Sequence, residues 1–440
     1  MKCLIIAAGK GSRLRKLGDV KPLIPVLGVP LIERAIRSAI EAGVDDFYVV
    51  TGYQRERVQD FLGSLDERLG IPITTLINED WEKENGFSVL RAREYLHEPF
   101  LLLMADHLFD PSIAREMMAH PPDEGEIILA VDVDTQDSLV DMEDVTRVRT
   151  KDGKIQNIGK GLTDFNGFDT GIFFCTPAIF EALEHSTEKY GETTLSGAVR
   201  ILATVGRARA FHTSGGFWID VDDSAAFKRA EKALLNRLRG KSNDGPMSLY
   251  LNRPLSIRIS RRLVKYPITP NQISLFSILC SLLSAGLFAF GGYPSLLLGG
   301  LLAQFASVID GCDGEVARLK FQGSDYGGWF DAVLDRYADA FLLFGLTWHA
   351  YSANPGPLIL FIGFLAIIGS FMLSYTADKY DRLMRNRIIH SKVFRLGRDV
   401  RVFLIFLGAI FNQVYLTLAV IAVVMNIETM RRVIICRDHG

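Results

Sequence analysis

Residues 310–335 read D-G-C-D-G-E-V-A-R-L-K-F-Q-G-S-D-Y-G-G-W-F-D-A-V-L-D, and the second half of the chain is organised around them. Asp310, Asp313 and Ala317 are spaced i, i+3, i+7, which stacks them on one face of a helix. Gly327, Asp331 and Asp335 are spaced i, i+4, i+8, one face of the next helix. Four carboxylates brought face to face repel one another and must protonate unless cations sit between them. Oxygen-only ligands suit Mg²⁺ or Mn²⁺, and four acids can hold a pair of ions. Gly314 and Gly327 carry no side chain, so a bulky phosphorylated ligand could approach the backbone there. Acids inside an apolar helical region mark function. The stretch reads as a two-metal site for phosphoryl transfer.

The surrounding sequence is membrane-like. Apolar segments cover about 271–291, 294–318, 327–351, 356–378, 398–412 and 414–435. The fifth is short for a span of roughly 20 residues, so its helix is expected to start earlier, near Ser391. The loops F-G-G-Y-P, S-A-N-P-G-P and F-N-Q carry no Lys or Arg, while the opposite side carries Arg318, Lys320, the run from Lys379 to Arg401, and Arg431, Arg432 and Arg437. By the positive-inside rule this predicts six spans with both termini in the cytoplasm. All four acids then lie near the cytosolic membrane face and open toward the rest of the chain. Residues 247–266 mix Leu, Ile and Tyr with Arg253, Arg258, Arg261, Arg262 and Lys265, the pattern of a basic amphipathic helix on a membrane surface. Arg395, Arg398 and Arg401 recur every three residues on the cytosolic side and could clamp an acceptor phosphate.

The acid stretch resembles the signature of the CDP-alcohol phosphotransferases, D-x-x-D-G-x-x-A-R, eight residues, then G-x-x-x-D-x-x-x-D. Asp310, Asp313, Gly314, Ala317, Arg318, Gly327, Asp331 and Asp335 meet every fixed position. The T-P-N element that holds Asn271 also precedes the first span in that family. The resemblance implies that Asp310, Asp313 and Asp331 hold metal at the diphosphate of a CDP-alcohol. Asp335, itself among the metal-site acids, is the family's general base. Gly314, Arg318 and Asn271 fall at substrate.

The whole chain has 440 residues, 48% of them hydrophobic, and a formal net charge of −2, which gives no sign of a nucleic-acid partner. Its five cysteines, Cys3, Cys175, Cys280, Cys312 and Cys436, show no metal or disulfide spacing and read as free thiols. The expected division is a cytosolic domain over 1–235, a linker and juxtamembrane segment over 236–269, and the membrane domain over 270–440.

In the first domain, residues 3–8 form an apolar strand, followed by G-K-G-S-R-L from Gly9 to Leu14 and then Lys21-Pro22-Leu23. A glycine-rich turn after a strand presents backbone N–H groups to phosphates, and Arg13 and Lys21 add charge. Helix is predicted over 31–42, 54–62 and 86–96, and strand over 46–51, 73–77 and 100–105. This alternation predicts an open, mainly parallel, Rossmann-like α/β sheet, with ligands at the carboxyl ends of the strands. L-L-L-M-A-D-H sets Asp106 at such an end, where a metal-binding carboxylate belongs. His107 and His212 have no spacing that assigns them a role.

The order strand, A-A-G-x-G-x-R, K-P-L resembles the sugar-phosphate nucleotidyltransferases over about residues 1–230. That resemblance implies that Gly9, Gly11 and Arg13 hold a nucleoside triphosphate and that Lys21 stabilises charge at its α-phosphate. Asp220 of G-F-W-I-D-V-D-D matches the family's second metal ligand, with Asp222 and Asp223 as alternatives. Asn85, Gly86 and Ser88 fall in the base-reading stretch of cytidylyltransferases. Lys160, with the nearby D-T-G-I of residues 169–172, falls where a phosphorylated alcohol is held.

One half thus resembles an enzyme that makes a nucleotide-activated alcohol and the other an enzyme that consumes a CDP-alcohol. The pair resembles the bifunctional inositol-1-phosphate cytidylyltransferase / CDP-inositol:inositol-1-phosphate transferase family. It implies CTP, inositol 1-phosphate and CDP-inositol as ligands, Mg²⁺ or Mn²⁺ in both domains, contact with membrane lipids, and room for a homodimer through the membrane domain. A phospholipid synthase with a lipid acceptor remains the alternative.

Overall fold

The computed structural model describes residues 1–135, 140–213, 216–239, 245–383 and 397–437. The chain divides into two compact units, Met1–Ala233 and Leu234–Gly440.

The first unit is built on a nine-stranded sheet. Its order is Ile73–Ile77, Asp46–Thr51, Lys2–Ala7, Phe100–Met104, Gly167–Cys175, Ile127–Asp132, Ala208–Thr213, Lys154–Gly159 and Arg147–Lys151. The first four strands run parallel, as their β-branched and leucine-rich sequences and intervening helices predict. The other half corrects the mainly parallel expectation. Gly167–Cys175 runs antiparallel to both of its main neighbours, and the last three strands are joined by antiparallel pairings. Helices Ala178–Tyr190 and Leu195–Thr204 do return the chain to a parallel pairing of Ala208–Thr213 with Ile127–Asp132, so this half is mixed.

Helices Leu31–Ala42 and Arg55–Leu69 cover the parallel half, while the helix expected over 86–96 is shorter, Asn85–Leu90. Cys3, Ile5, Phe47, Val49 and Leu103 face one layer of the core, and Leu4, Val50, Phe100 and Leu102 face the other, the alternation of a sheet buried on both sides. A separate two-stranded ribbon pairs His107–Phe109 with Trp218–Asp220, with Asp220 opposite His107. The buried Trp218 anchors it by donating its indole N–H to Asp132 at 2.7 Å.

The second unit is helical. Arg253–Leu263 is followed by Pro270–Phe290, Tyr293–Leu319, Asp325–Ala353, Pro357–Leu383, Arg398–Ile410 and Val414–Arg437. Thr269 caps Pro270–Phe290 through a capping box with Gln272, with Pro270 in the first turn. Among the described residues three helices are long and apolar enough to cross a membrane: Pro270–Phe290, Tyr293–Leu319 and Pro357–Ala377. Asp325–Ala353 is long enough, but Asp331, Asp335, Arg336 and Asp339 dilute its apolar run. Buried Ser274, Ser277, Ser281 and Ser284 form a stripe along one face of Pro270–Phe290. Ser277 donates to the Ala306 carbonyl at 3.1 Å and Ser284 to that of Gly299 at 2.6 Å, the polar contacts that join helices where apolar packing alone discriminates poorly.

The basic segment expected to lie on a membrane surface splits in two. Arg258, Arg261, Arg262 and Lys265 are exposed, but Arg253 is buried and paired with Glu315 at 2.8 Å. Glu315 is fully buried and also accepts from Ser256 at 2.6 Å and Ser260 at 2.7 Å. One face of this helix is therefore fastened to the helix that carries Asp310 and Asp313.

Candidate active sites

In the first unit a cleft of about 740 Å³ opens at the carboxyl ends of the parallel strands, lined among others by Gly9, Arg13, Asn85, Ser88, Asp106, Lys160, Asp169, Asp220 and Asp222. The glycine turn is shaped around Lys21. Gly11 has φ +60°, and a Cβ there would meet the Lys21 side chain at 2.4 Å, so only glycine lets the loop close over it. The Lys21 ammonium is nearly buried and pairs with Asp106 and Asp222. Burial opposes its charge, but Asp106, Asp222 and Asp220 outweigh it and raise its pKa well above the ordinary lysine value.

Asp220 faces His107 instead. The ribbon register sets them side by side, with His107 Nε2 3.5 Å from Asp220 Oδ2 and 3.9 Å from Asp106 Oδ1. One ligand atom each from Asp106, His107 and Asp220 lie within 4.8 Å of one another. Asp220 Oδ1 is buried without a hydrogen-bond partner, which suits a carboxylate awaiting a cation. Burial alone would lower the His107 pKa, yet Asp220 and Asp106 hold it up at about 10. Burial pushes Asp169 up to about 6, partly offset by the Gly171 amide that donates to it at 2.8 Å.

Arg13 and Lys160 converge on Asp144, which Lys160 reaches at 2.5 Å. Their charges hold the Asp144 carboxyl below its usual range. Asn85 accepts from the Leu195 amide at 3.1 Å, and Ser88 accepts from Asn78 at 3.0 Å. Gly86 packs against the Thr193 carbonyl, where a Cβ would stand 2.3 Å away. The expected base-reading stretch is thus held rigidly at the cleft wall.

In the helical unit the structure brings Asp310, Asp331 and Asp335 together, with one carboxylate oxygen from each within 4.8 Å of the others. Asp331 Oδ1 is buried without a partner, again an open position for a cation. Asp313 stands against Asp331 and also accepts from Ser274 at 2.6 Å. Arg398 reaches Asp310 and Asp335 at 2.6 Å and Asp339 at 3.4 Å. Arg398 Nε and Nη1 have no hydrogen-bond partner, so these are charge contacts without good alignment. Gly327 lies beside Asn271, whose Oδ1 would be 3.5 Å from a Cβ at that position. Gly314 lies against Arg318, with 3.4 Å to its Nη1.

Arg401 departs from the expected phosphate clamp. It is 2% exposed, and its Nη2 is bound to Asp339 and Ser374 inside the bundle. Arg395 lies outside the described residues. Sequence reasoning passed over Asp339, although it continues the four-residue spacing of Gly327, Asp331 and Asp335. It also passed over Glu315, which occupies a variable position of the motif, and Asp144, which carries no local signal at all.

Residues 3–203 match the family described as MobA-like NTP transferase domain, and residues 267–428 match CDP-alcohol phosphatidyltransferase. The chain is 36% identical over 435 residues to a bifunctional IPC transferase and DIPP synthase of Rubrobacter xylanophilus, covering 98% of this chain and 95% of that one. It is 32% identical over 434 residues to the protein of the same name from Aquifex aeolicus, covering 97% and 96%. The solved inositol-1-phosphate CTP transferase from T. maritima is similar at 27% identity and TM-score 0.47, covering 52% of this chain and 95% of that one. With a nucleotidyltransferase unit followed by a helical CDP-alcohol phosphotransferase unit, this chain belongs to the bifunctional IPC transferase and DIPP synthase family of membrane transferases.

Proposed function

We propose that the first unit transfers a cytidylyl group from CTP to inositol 1-phosphate, giving CDP-inositol and pyrophosphate. The second then transfers phosphoinositol from CDP-inositol to another inositol 1-phosphate, giving phosphorylated di-inositol phosphate and CMP. The observation that carries this reading is the presence of two separate acid clusters, one in each unit, in a chain that aligns with its bifunctional relatives along nearly its whole length.

In the first reaction a phosphate oxygen of inositol 1-phosphate attacks the α-phosphorus of CTP, and the bond to pyrophosphate breaks. Gly9, Gly11 and Arg13 cradle the triphosphate, and Lys21 offsets charge at the α-phosphate. Asn85, Gly86 and Ser88 read the cytosine edge, and Lys160 holds the inositol phosphate. In the second reaction an acceptor hydroxyl attacks the β-phosphorus of CDP-inositol and gives its proton to Asp335, while CMP leaves. Asn271, Gly314 and Arg318 position the CDP-alcohol. Arg398 exchanges its acids for the acceptor phosphate.

Divalent cations held by Asp106 and Asp220, and by Asp310, Asp313 and Asp331 with Asp335, would neutralise phosphate charge in both reactions. Mg²⁺ and Mn²⁺ suit the carboxylates. Six spans with both termini in the cytoplasm, and an exposed arginine face on Arg253–Leu263 that meets lipid headgroups, complete the reading.

Purified protein supplied with labelled CTP and a panel of phosphorylated alcohols tests it. Inositol 1-phosphate should give labelled CDP-inositol, then CMP and a phosphorylated di-inositol product. Transfer only to an added lipid alcohol would assign the second unit to phospholipid synthesis.

A further inference from the structure

Resting on the cytidylyltransferase reading of the first unit, we infer that His107 is a third metal ligand there, beside Asp106 and Asp220. Its Nδ1 lies 2.8 Å from the Thr170 carbonyl, which can only accept, so Nδ1 keeps its proton, and Nε2, which faces the acids, is the nitrogen that would exchange its proton for a cation. Metal-binding histidines are commonly fixed in this way, with the far ring nitrogen donating to a backbone carbonyl. The backbone is shaped for the ring: Gly171 has φ +74°, and a Cβ there would stand 2.1 Å from Nδ1.

The separations also fit ligation. Nε2 is 3.5 Å from Asp220 and 3.9 Å from Asp106, longer than an N–H···O bond of about 2.7–3.2 Å. Atoms that each sit about 2.0–2.2 Å from one ion are roughly 3–4 Å apart. The buried, unpartnered Asp220 Oδ1 supplies a further open donor.

A nitrogen ligand changes which ion the site prefers. Imidazole with two carboxylates favours Mn²⁺, Co²⁺ or Zn²⁺ over Mg²⁺ more strongly than oxygen ligands alone. The Asp310, Asp331 and Asp335 cluster offers only oxygen. The two halves of one chain should therefore rank divalent cations differently.

The test uses full-length protein in detergent, labelled with ¹⁵N only in histidine and loaded with Mn²⁺ in the absence of nucleotide. Pulsed electron paramagnetic resonance should show a ¹⁵N coupling of directly bound imidazole. It should persist in Asp310→Asn and vanish in His107→Gln. In His107→Gln the preference for Mn²⁺ over Mg²⁺, read by calorimetric titration of Asp310→Asn and of the double variant, should fall by about tenfold or more. Absence of the coupling from Mn²⁺-loaded wild-type protein overturns the ligand assignment whatever the variant does. If that same protein still makes CDP-inositol, the cytidylyltransferase reading survives. A coupling without CTP turnover would sink that reading and leave the ligand.

Discussion

The two acid sites solve one electrostatic problem in different ways. In the α/β unit Asp106 and Asp220 come from distant parts of the chain, brought together by a two-stranded ribbon and balanced by Lys21 and His107. In the helical unit Asp310, Asp331 and Asp335 come from one short stretch on two helices and are balanced by Arg398. Strand pairing can join distant residues, so such a site is scattered through the sequence. Helical periodicity gathers near neighbours, so the other site can be read almost as a word.

Substitutions sharpen that contrast, and the largest effect falls on the helical site. Asp335→Asn should cut CMP release from CDP-inositol by ~10²–10⁴ while leaving CDP-inositol binding nearly intact. Transfer at the normal rate would show that no base acts there. Next comes the ionic fastening behind the motif. Glu315→Ala removes the carboxylate that faces the buried Arg253, and should destabilise the helical unit by about 3–5 kcal/mol in detergent unfolding. Arg258→Ala, on the exposed face, should change stability by less than about 0.5 kcal/mol. Equal effects would mean that the buried pair is not what fastens this helix.

In the α/β site Lys21→Ala should slow pyrophosphate release from CTP by about 10² or more. A smaller change in rate is expected at Asp313, which shares its hydrogen bonding between Asp331 and Ser274. Asp313→Asn should slow transfer by about tenfold and recover in part with excess Mg²⁺ or Mn²⁺. If metal rescues Asp335→Asn but not Asp313→Asn, the roles of base and metal holder are reversed.

The same contrast explains what could be read in advance. The acid motif, the glycine turn with Lys21, and the strand ending at Asp106 are contiguous signals, and their helices and strands appear where periodicity sets them. The antiparallel insertion of Gly167–Cys175 between Phe100–Met104 and Ile127–Asp132 was hidden because no local pattern records a strand's direction in the sheet. His107 stood next to Asp106 but had no partner within reach along the sequence; only the ribbon register supplies Asp220. The pairing of Arg13 and Lys160 on Asp144 likewise depends on tertiary closure. Arg401 shows the opposite failure, since a regular arginine spacing suggested a phosphate clamp while burial committed this side chain to Asp339.

Two sites acting in series is the central claim, and separating them tests it most directly. Lys21→Ala protein is given inositol 1-phosphate with either CTP or CDP-inositol, and CMP is measured. CTP should yield almost no CMP, whereas CDP-inositol should restore CMP release and the phosphorylated di-inositol product to the wild-type rate. Failure of CDP-inositol to restore them, or undiminished CMP formation from CTP, would contradict the account.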